Sequence, residues 1–114
     1  MKKLNKILGE KGEIITQKYL KKKHYRILET NYSTKFGEID IIAEHGDTLV
    51  FVEVKTRTSK MFGNPCEAVT PYKQNKIRNV AKLYLMIKKQ SERDCRFDVI
   101  EVLDDEINHI ENAF

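Results

Sequence analysis

The stretch Gly37–Arg57, GEIDIIAEHGDTLVFVEVKTR, constrains the fold more than any other part of the chain. Two runs rich in isoleucine, valine and phenylalanine flank His45-Gly46-Asp47, a short turn signal, and together they read as an antiparallel hairpin. Charges interrupt both runs: Asp40 lies in the first, Glu53 and Lys55 in the second. Side chains alternate along a strand, so Glu53 and Lys55 share one face while Val50, Val52 and Val54 take the other and can pack on a helix. Asp40 shares a face with Glu38 and Ile42. The hairpin could bring Asp40 beside Glu53, but the sequence leaves the register open. An isolated carboxylate or ammonium costs several kcal/mol to bury, on the order of a whole core side chain, so these charges need partners.

The remaining elements supply the surroundings of that hairpin. Apolar residues from Leu4 to Leu20 recur at helical spacing and predict a helix over 4–23, weakened by Gly9 and Gly12. Strands are expected at 25–32, 36–44 and 48–57, followed by a loop at 58–69 containing Gly63 and Pro65. Thr70-Pro71 reads as an N-cap with proline at the first helical position, opening a helix to about Lys89 whose inner face carries Ile77, Val80, Ala81, Tyr84 and Ile87. A fourth strand is expected at 96–103 and a short further one in the tail INHIENAF. A helix between the third and fourth strands favours parallel pairing there. The expected architecture is α/β, a single α-β-β-β-α-β domain with a mixed central sheet flanked by helices. A chain of 114 residues suffices for one hydrophobic core and not for two.

Charge is unevenly spread. Residues 1–26 carry nine basic and two acidic side chains, and residues 71–90 carry six basic and none acidic. Both segments are predicted helices, so either their outer faces are simply solvated or they form a basic surface that attracts a polyanion such as nucleic acid. Within them Lys73, Lys76, Arg78 and Lys82 are candidates for gripping phosphates, and Arg57 continues the Glu53–Lys55 face. Cys66 and Cys95 are far apart and in no metal-knuckle pattern, which fits idle thiols in a reducing compartment. No apolar run reaches membrane-spanning length, so a cytoplasmic location away from the membrane is expected. His24, His45 and His109 are scattered without zinc or triad spacing.

The charged hairpin admits two readings. An ion pair between Lys55 and one acid on a solvent-facing sheet is common and needs no function. It accounts for one carboxylate well and for two poorly, because adjacent carboxylates repel unless a proton or cation lies between them. A hard ion such as Mg²⁺ takes oxygen ligands from one or two carboxylates and keeps its other positions for water and phosphate. Lys55 beside it could orient a water or stabilise charge developing on a phosphate.

At these residues the chain resembles the YraN-like family of small bacterial proteins and, more broadly, the PD-(D/E)XK nuclease superfamily of restriction-endonuclease-like and Holliday junction resolvase-like enzymes. The pieces that carry the resemblance are GEKGE at 9–13, GEIDIIA at 37–43, LVFVEVKTR at 49–57, FGNPCEAVTPYKQNKI at 62–77, RFDVIEV at 96–102 and the terminal NAF. The resemblance implies a restriction-endonuclease-like core, metal ligation by Asp40 and Glu53, a catalytic Lys55, and Glu13 on the first helix completing or supporting the site. It implies Mg²⁺ or Mn²⁺ as cofactor and nucleic acid, DNA above RNA, as partner. It also suggests a polar contact to phosphate from Gln74, for which an exposed helix position is the rival reading, and a supporting role for Glu38. A preference for branched DNA would call for a homodimer. Two residues depart from the family pattern: Thr16, where a small apolar residue is usual, and His24, where glycine is usual. The rival expectations are a nucleic-acid-binding module with a vestigial site and a protein-interaction factor whose charged pairs are structural.

Overall fold

The computed structural model describes the backbone of residues 2–58 and 69–114, with side chains from residue 6 onward. In chain order the elements are α1 (Lys2–Lys22), β1 (Arg26–Thr34), β2 (Gly37–His45), β3 (Thr48–Arg57), α2 (Pro71–Ile87), β4 (Cys95–Leu103) and β5 (Glu106–Ile110). The strands form one sheet in the order β1-β2-β3-β4-β5. All neighbours pair antiparallel except β3 and β4, which run parallel and are joined by α2. This is the expected mixed α/β core, with the short tail strand β5 added at its edge. The expected loop at 58–69, including Gly63, Pro65 and Cys66, falls almost wholly outside the described residues. Among those residues no helix is long and apolar enough to cross a membrane.

Helix ends follow from local chemistry. At the end of α1, Tyr25 N–H donates to Leu20 O (2.9 Å) and His24 N–H to Lys21 O (3.1 Å), with His24 in the left-handed region at φ 68°. This is a Schellman cap, and it favours glycine at the position that His24 occupies, since glycine adopts that φ without strain. The same cap ends α2 at Ile87, two residues before the expected stop: Gln90 N–H donates to Leu85 O (2.8 Å), with Lys89 at φ 56°. At the start of α2 the Thr70 hydroxyl accepts from Lys73 N–H (3.2 Å), and Pro71 follows the cap as predicted. Ile87 is 57% exposed and does not join the inner face expected of it, because the helix ends there.

The sheet is sandwiched between the two helices. On one face Ile39, Ile42, Leu49 and Phe51 pack with Ile77, Val80, Ala81, Tyr84 and Leu85 of α2. On the other, Ile41, Ala43, Val50, Val52, Ile100 and Val102 pack with Leu20 and Tyr25 and with the half-buried Ile15 and Tyr19. The valines of β3 therefore face α1, as alternation requires, and Glu53 lies on the opposite face. Gly12 sets how closely α1 approaches: a Cβ there would lie 1.9 Å from Thr56 Oγ1. The glycine that weakens the helix prediction thus allows α1 to press against β3. The departure at Thr16 is accommodated in the same contact. Its side chain is fully buried and its hydroxyl donates to Gly12 O (2.8 Å).

One buried carboxylate has no counterpart in the sequence reading. Asp98 on β4 is fully buried and accepts from the Arg96 guanidinium (2.9 Å to each oxygen) and from Asn112 N–H (2.9 Å), with His109 Nε2 at 2.7 Å. Burial alone would raise its pKa, but these hydrogen bonds outweigh it and lower it. Asp98 thereby fastens β5 and the tail to β4.

Candidate active site

The question of register is answered by the β2–β3 hairpin. Pairing runs from His45↔Thr48 to Ile41↔Val52, so the next step places Asp40 beside Glu53. The ladder stops there, and the Asp40 carboxylate takes over the vacated acceptor role by binding Val54 N–H at 2.8 Å. Alternation along β2 also slips at this point. Ile39 and Ile42 both face α2, whereas Ile41 and Ala43 face α1. Asp40 therefore does not simply share a face with Ile42. Opposite it on β1, Asn31 has φ 51°, a conformation that Asn tolerates better than most residues. Two strands diverging at one residue open a notch in the sheet, and the charged side chains line it.

A cavity of about 420 Å³ occupies the notch, and its lining includes Glu13 from α1, Asp40, Glu53 and Lys55 from the sheet, and Lys73 from α2. A second cavity, of about 250 Å³, reaches Asp40, Glu53 and Lys73 from the α2 side, past Glu38 and Lys76. Glu53 is 6% exposed. Both lysines converge on its Oε1, Lys55 Nζ at 3.5 Å and Lys73 Nζ at 2.5 Å.

These contacts leave electrical tension at the site. Burial, reinforced by the charge of Glu53, pushes Asp40 up to about 7, with the Val54 N–H opposing. Glu13 is also raised, by burial first and by Glu38, Glu10 and Glu53, while a hydrogen bond from Asn31 acts the other way. Lys55 is lowered by burial and by Lys73 next to it. Burial would lower Lys73 too, but its bond to Glu53 prevails and raises it. Glu53 lies near enough for its charge to raise the Asp40 carboxyl, and two neighbouring carboxylates are a donor set that a small hard cation accepts. Among the described residues no three His, Cys, Asp or Glu side chains form a ready cage, so any ion at Asp40 and Glu53 would need water for its remaining positions.

Not every predicted residue reaches this place. The Gln74 amide donates to Val69 O (3.0 Å), and the side chain lines a small separate cavity with Phe114, facing the tail and not the notch. At 3.6 residues per turn, Lys82 projects from the side of α2 opposite Lys73, beside Phe36 and Met86. The Arg78 guanidinium lies over the rings of Phe97 and Phe114, 5.9 and 5.3 Å from their centroids. Arg57 is half-buried on β3, two residues beyond Lys55, and does not line the notch. Of the predicted phosphate-gripping residues, Lys73 and Lys76 border the site, with the Lys76 ammonium 4.7 Å from the centroid of the exposed Tyr72 ring. The pairing of Lys73 with Glu53 is absent from the sequence reading. The signal available for it is the TPxK start of α2, which places the lysine one turn into a helix that begins at the site.

Comparison with known proteins gives one answer. The model of the family described as "Uncharacterised protein family UPF0102" matches residues 12–102, a span that contains Glu13, Asp40, Glu53, Lys55 and Lys73. A UPF0102 protein of Alkaliphilus oremlandii is 55% identical, over 97% of this chain and all of its own. One of Alkaliphilus metalliredigens is 52% identical over the same shares. One of Caldanaerobacter subterraneus subsp. tengcongensis is 50% identical over the full length of both. By these matches the chain belongs to the UPF0102 family.

Proposed function

We propose that this protein is a divalent-metal-dependent endonuclease of the PD-(D/E)XK kind that hydrolyses phosphodiester bonds in DNA, with branched or structured DNA among its candidate substrates. The observation that carries the reading is the notch where Asp40 and Glu53 meet, with two lysines beside them and both helices at its rim. Asp40 and Glu53 would hold Mg²⁺ or Mn²⁺, and Glu13 adds a third negative charge at the cavity wall. When bound, the ion supplies Lewis-acid polarisation of the phosphate. Lys55, held by β3 against Glu53, donates to the phosphate oxygen on which charge builds. Lys73 and Lys76 draw the backbone to the site. A branched substrate needs two cuts, so the reading includes a homodimer. Cys95, a free exposed thiol, is compatible with a cytoplasmic setting.

A specific observation favours one rival: Glu53 already carries two ammonium partners, as in a purely structural charge cluster. That cluster would leave a nucleic-acid-binding module without turnover. Cleavage of duplex, single-stranded and four-way DNA in Mg²⁺ or Mn²⁺, by the wild type and by Glu53→Gln, separates the two. The endonuclease reading predicts metal-dependent cleavage that Glu53→Gln reduces by about 10² or more. It fails if binding persists and no substrate is cut.

A further inference from the structure

Lys73 and Lys55 hold the same Glu53 oxygen in different ways. Lys55 comes from the middle of the sheet and its side chain is 18% exposed. Lys73 comes from the first turn of α2 and is 39% exposed, although its ammonium is the nearer of the two, at 2.5 Å. Its backbone is pinned by the Thr70 cap, while the flexible stem borders the α2-side cavity with Glu38 and Lys76. Lys73 can therefore leave Glu53 by rotating its more exposed side chain towards solvent, whereas Lys55 is the more enclosed of the two. A nearly enclosed carboxylate needs a counter-charge. An ammonium and a divalent cation would compete for one oxygen.

We infer that Lys73 is an exchangeable counter-ion: it neutralises Glu53 while the site is metal-free, is displaced by an incoming divalent cation, and then binds a backbone phosphate of the substrate. The inference rests on the metal-dependent reading above. Its consequence is coupling. Metal entry frees one ammonium for phosphate, so metal and nucleic acid each strengthen binding of the other.

Mn²⁺ titration of the metal-free protein tests the displacement in three forms: wild type, Lys73→Met and Lys76→Met. Lys76 is a control because it lies on the same helix and borders the same cavity, and its ammonium contacts the Tyr72 ring. Lys73→Met should bind Mn²⁺ about tenfold more tightly, a change of about 1.4 kcal/mol, and Lys76→Met should stay within about twofold of wild type. The affinity gained for a short DNA duplex on replacing EDTA with Ca²⁺ should shrink in Lys73→Met. Unchanged Mn²⁺ affinity in Lys73→Met, or equal tightening in both variants, overturns the inference while leaving the proposed function standing. A wild type that binds no Mn²⁺ overturns both. A metal-free readout is a Glu53→Gln/Lys73→Met double-mutant cycle in urea, with coupling of at least about fivefold in the unfolding constant expected; additivity would remove the pairing on which the inference depends.

Discussion

Replacing Asp40 by Asn should stabilise the metal-free protein, by an amount that grows as pH rises from about 4 and levels off above about 7. The Asp40 carboxyl is raised from 3.8 to about 7 by burial and by Glu53. The native state therefore binds this proton more tightly than the unfolded chain does. Its contribution to stability is fully present below about pH 4 and is lost as pH rises through 7. About three pKa units at 1.36 kcal/mol each gives about 4 kcal/mol, and solvent in the open notch reduces the expected effect to about 2 to 4 kcal/mol. Asn keeps the shape and an acceptor for Val54 N–H, but carries no charge. In EDTA the two proteins should unfold alike near pH 4. By pH 8 Asp40→Asn should melt about 10 °C higher, taking roughly 4 °C per kcal/mol for a domain of this size. Urea or thermal denaturation followed by circular dichroism across that range reads the difference directly. A difference that does not change with pH, or a variant less stable than wild type at pH 8, would refute the claim that Glu53 and burial strain this carboxylate.

Other substitutions test the scaffold that brings the site together. Gly12→Ala puts a Cβ 1.9 Å from Thr56 Oγ1 and should cost about 2 kcal/mol or more in chemical denaturation, with Thr56→Ala recovering part of the loss. His24→Gly relieves the positive φ of the α1 cap and should raise stability by about 1 kcal/mol, whereas an unchanged or lower midpoint would contradict the cap assignment. Asp98→Ala leaves Arg96 and His109 without their shared buried partner; a loss of about 3 to 5 kcal/mol is expected, with early exchange of β5 amides.

The fold was legible because its signals are local. The Thr70-Pro71 cap, the Gly46 turn and the alternation of Val50, Val52 and Val54 each specify an element within a few residues, and the crossover helix fixed the parallel pair. What remained hidden depends on contacts between distant elements. Gly12 reads as a weak helix residue until Thr56 is seen against it. Asp98 reads as one charge in a plain strand until Arg96, His109 and the Asn112 amide surround it. Asp40, Glu53 and Lys55 were found because charges inside apolar runs demand partners. Lys73 as a partner of Glu53 was not, since spacing along α2 cannot say which lysine turns towards the sheet. Arg78 and Lys82 share a basic segment with Lys73, and Gln74 enters through the resemblance alone, whereas helical rotation turns all three elsewhere.

The central claim is that Asp40 and Glu53 form one divalent-cation site. Titration of the metal-free protein with Mn²⁺, reading the free ion by electron paramagnetic resonance, tests it most directly. The account predicts one saturable site per chain, weakened at least about tenfold in both Asp40→Asn and Glu53→Gln. No saturable binding, or binding that neither substitution changes, would contradict it.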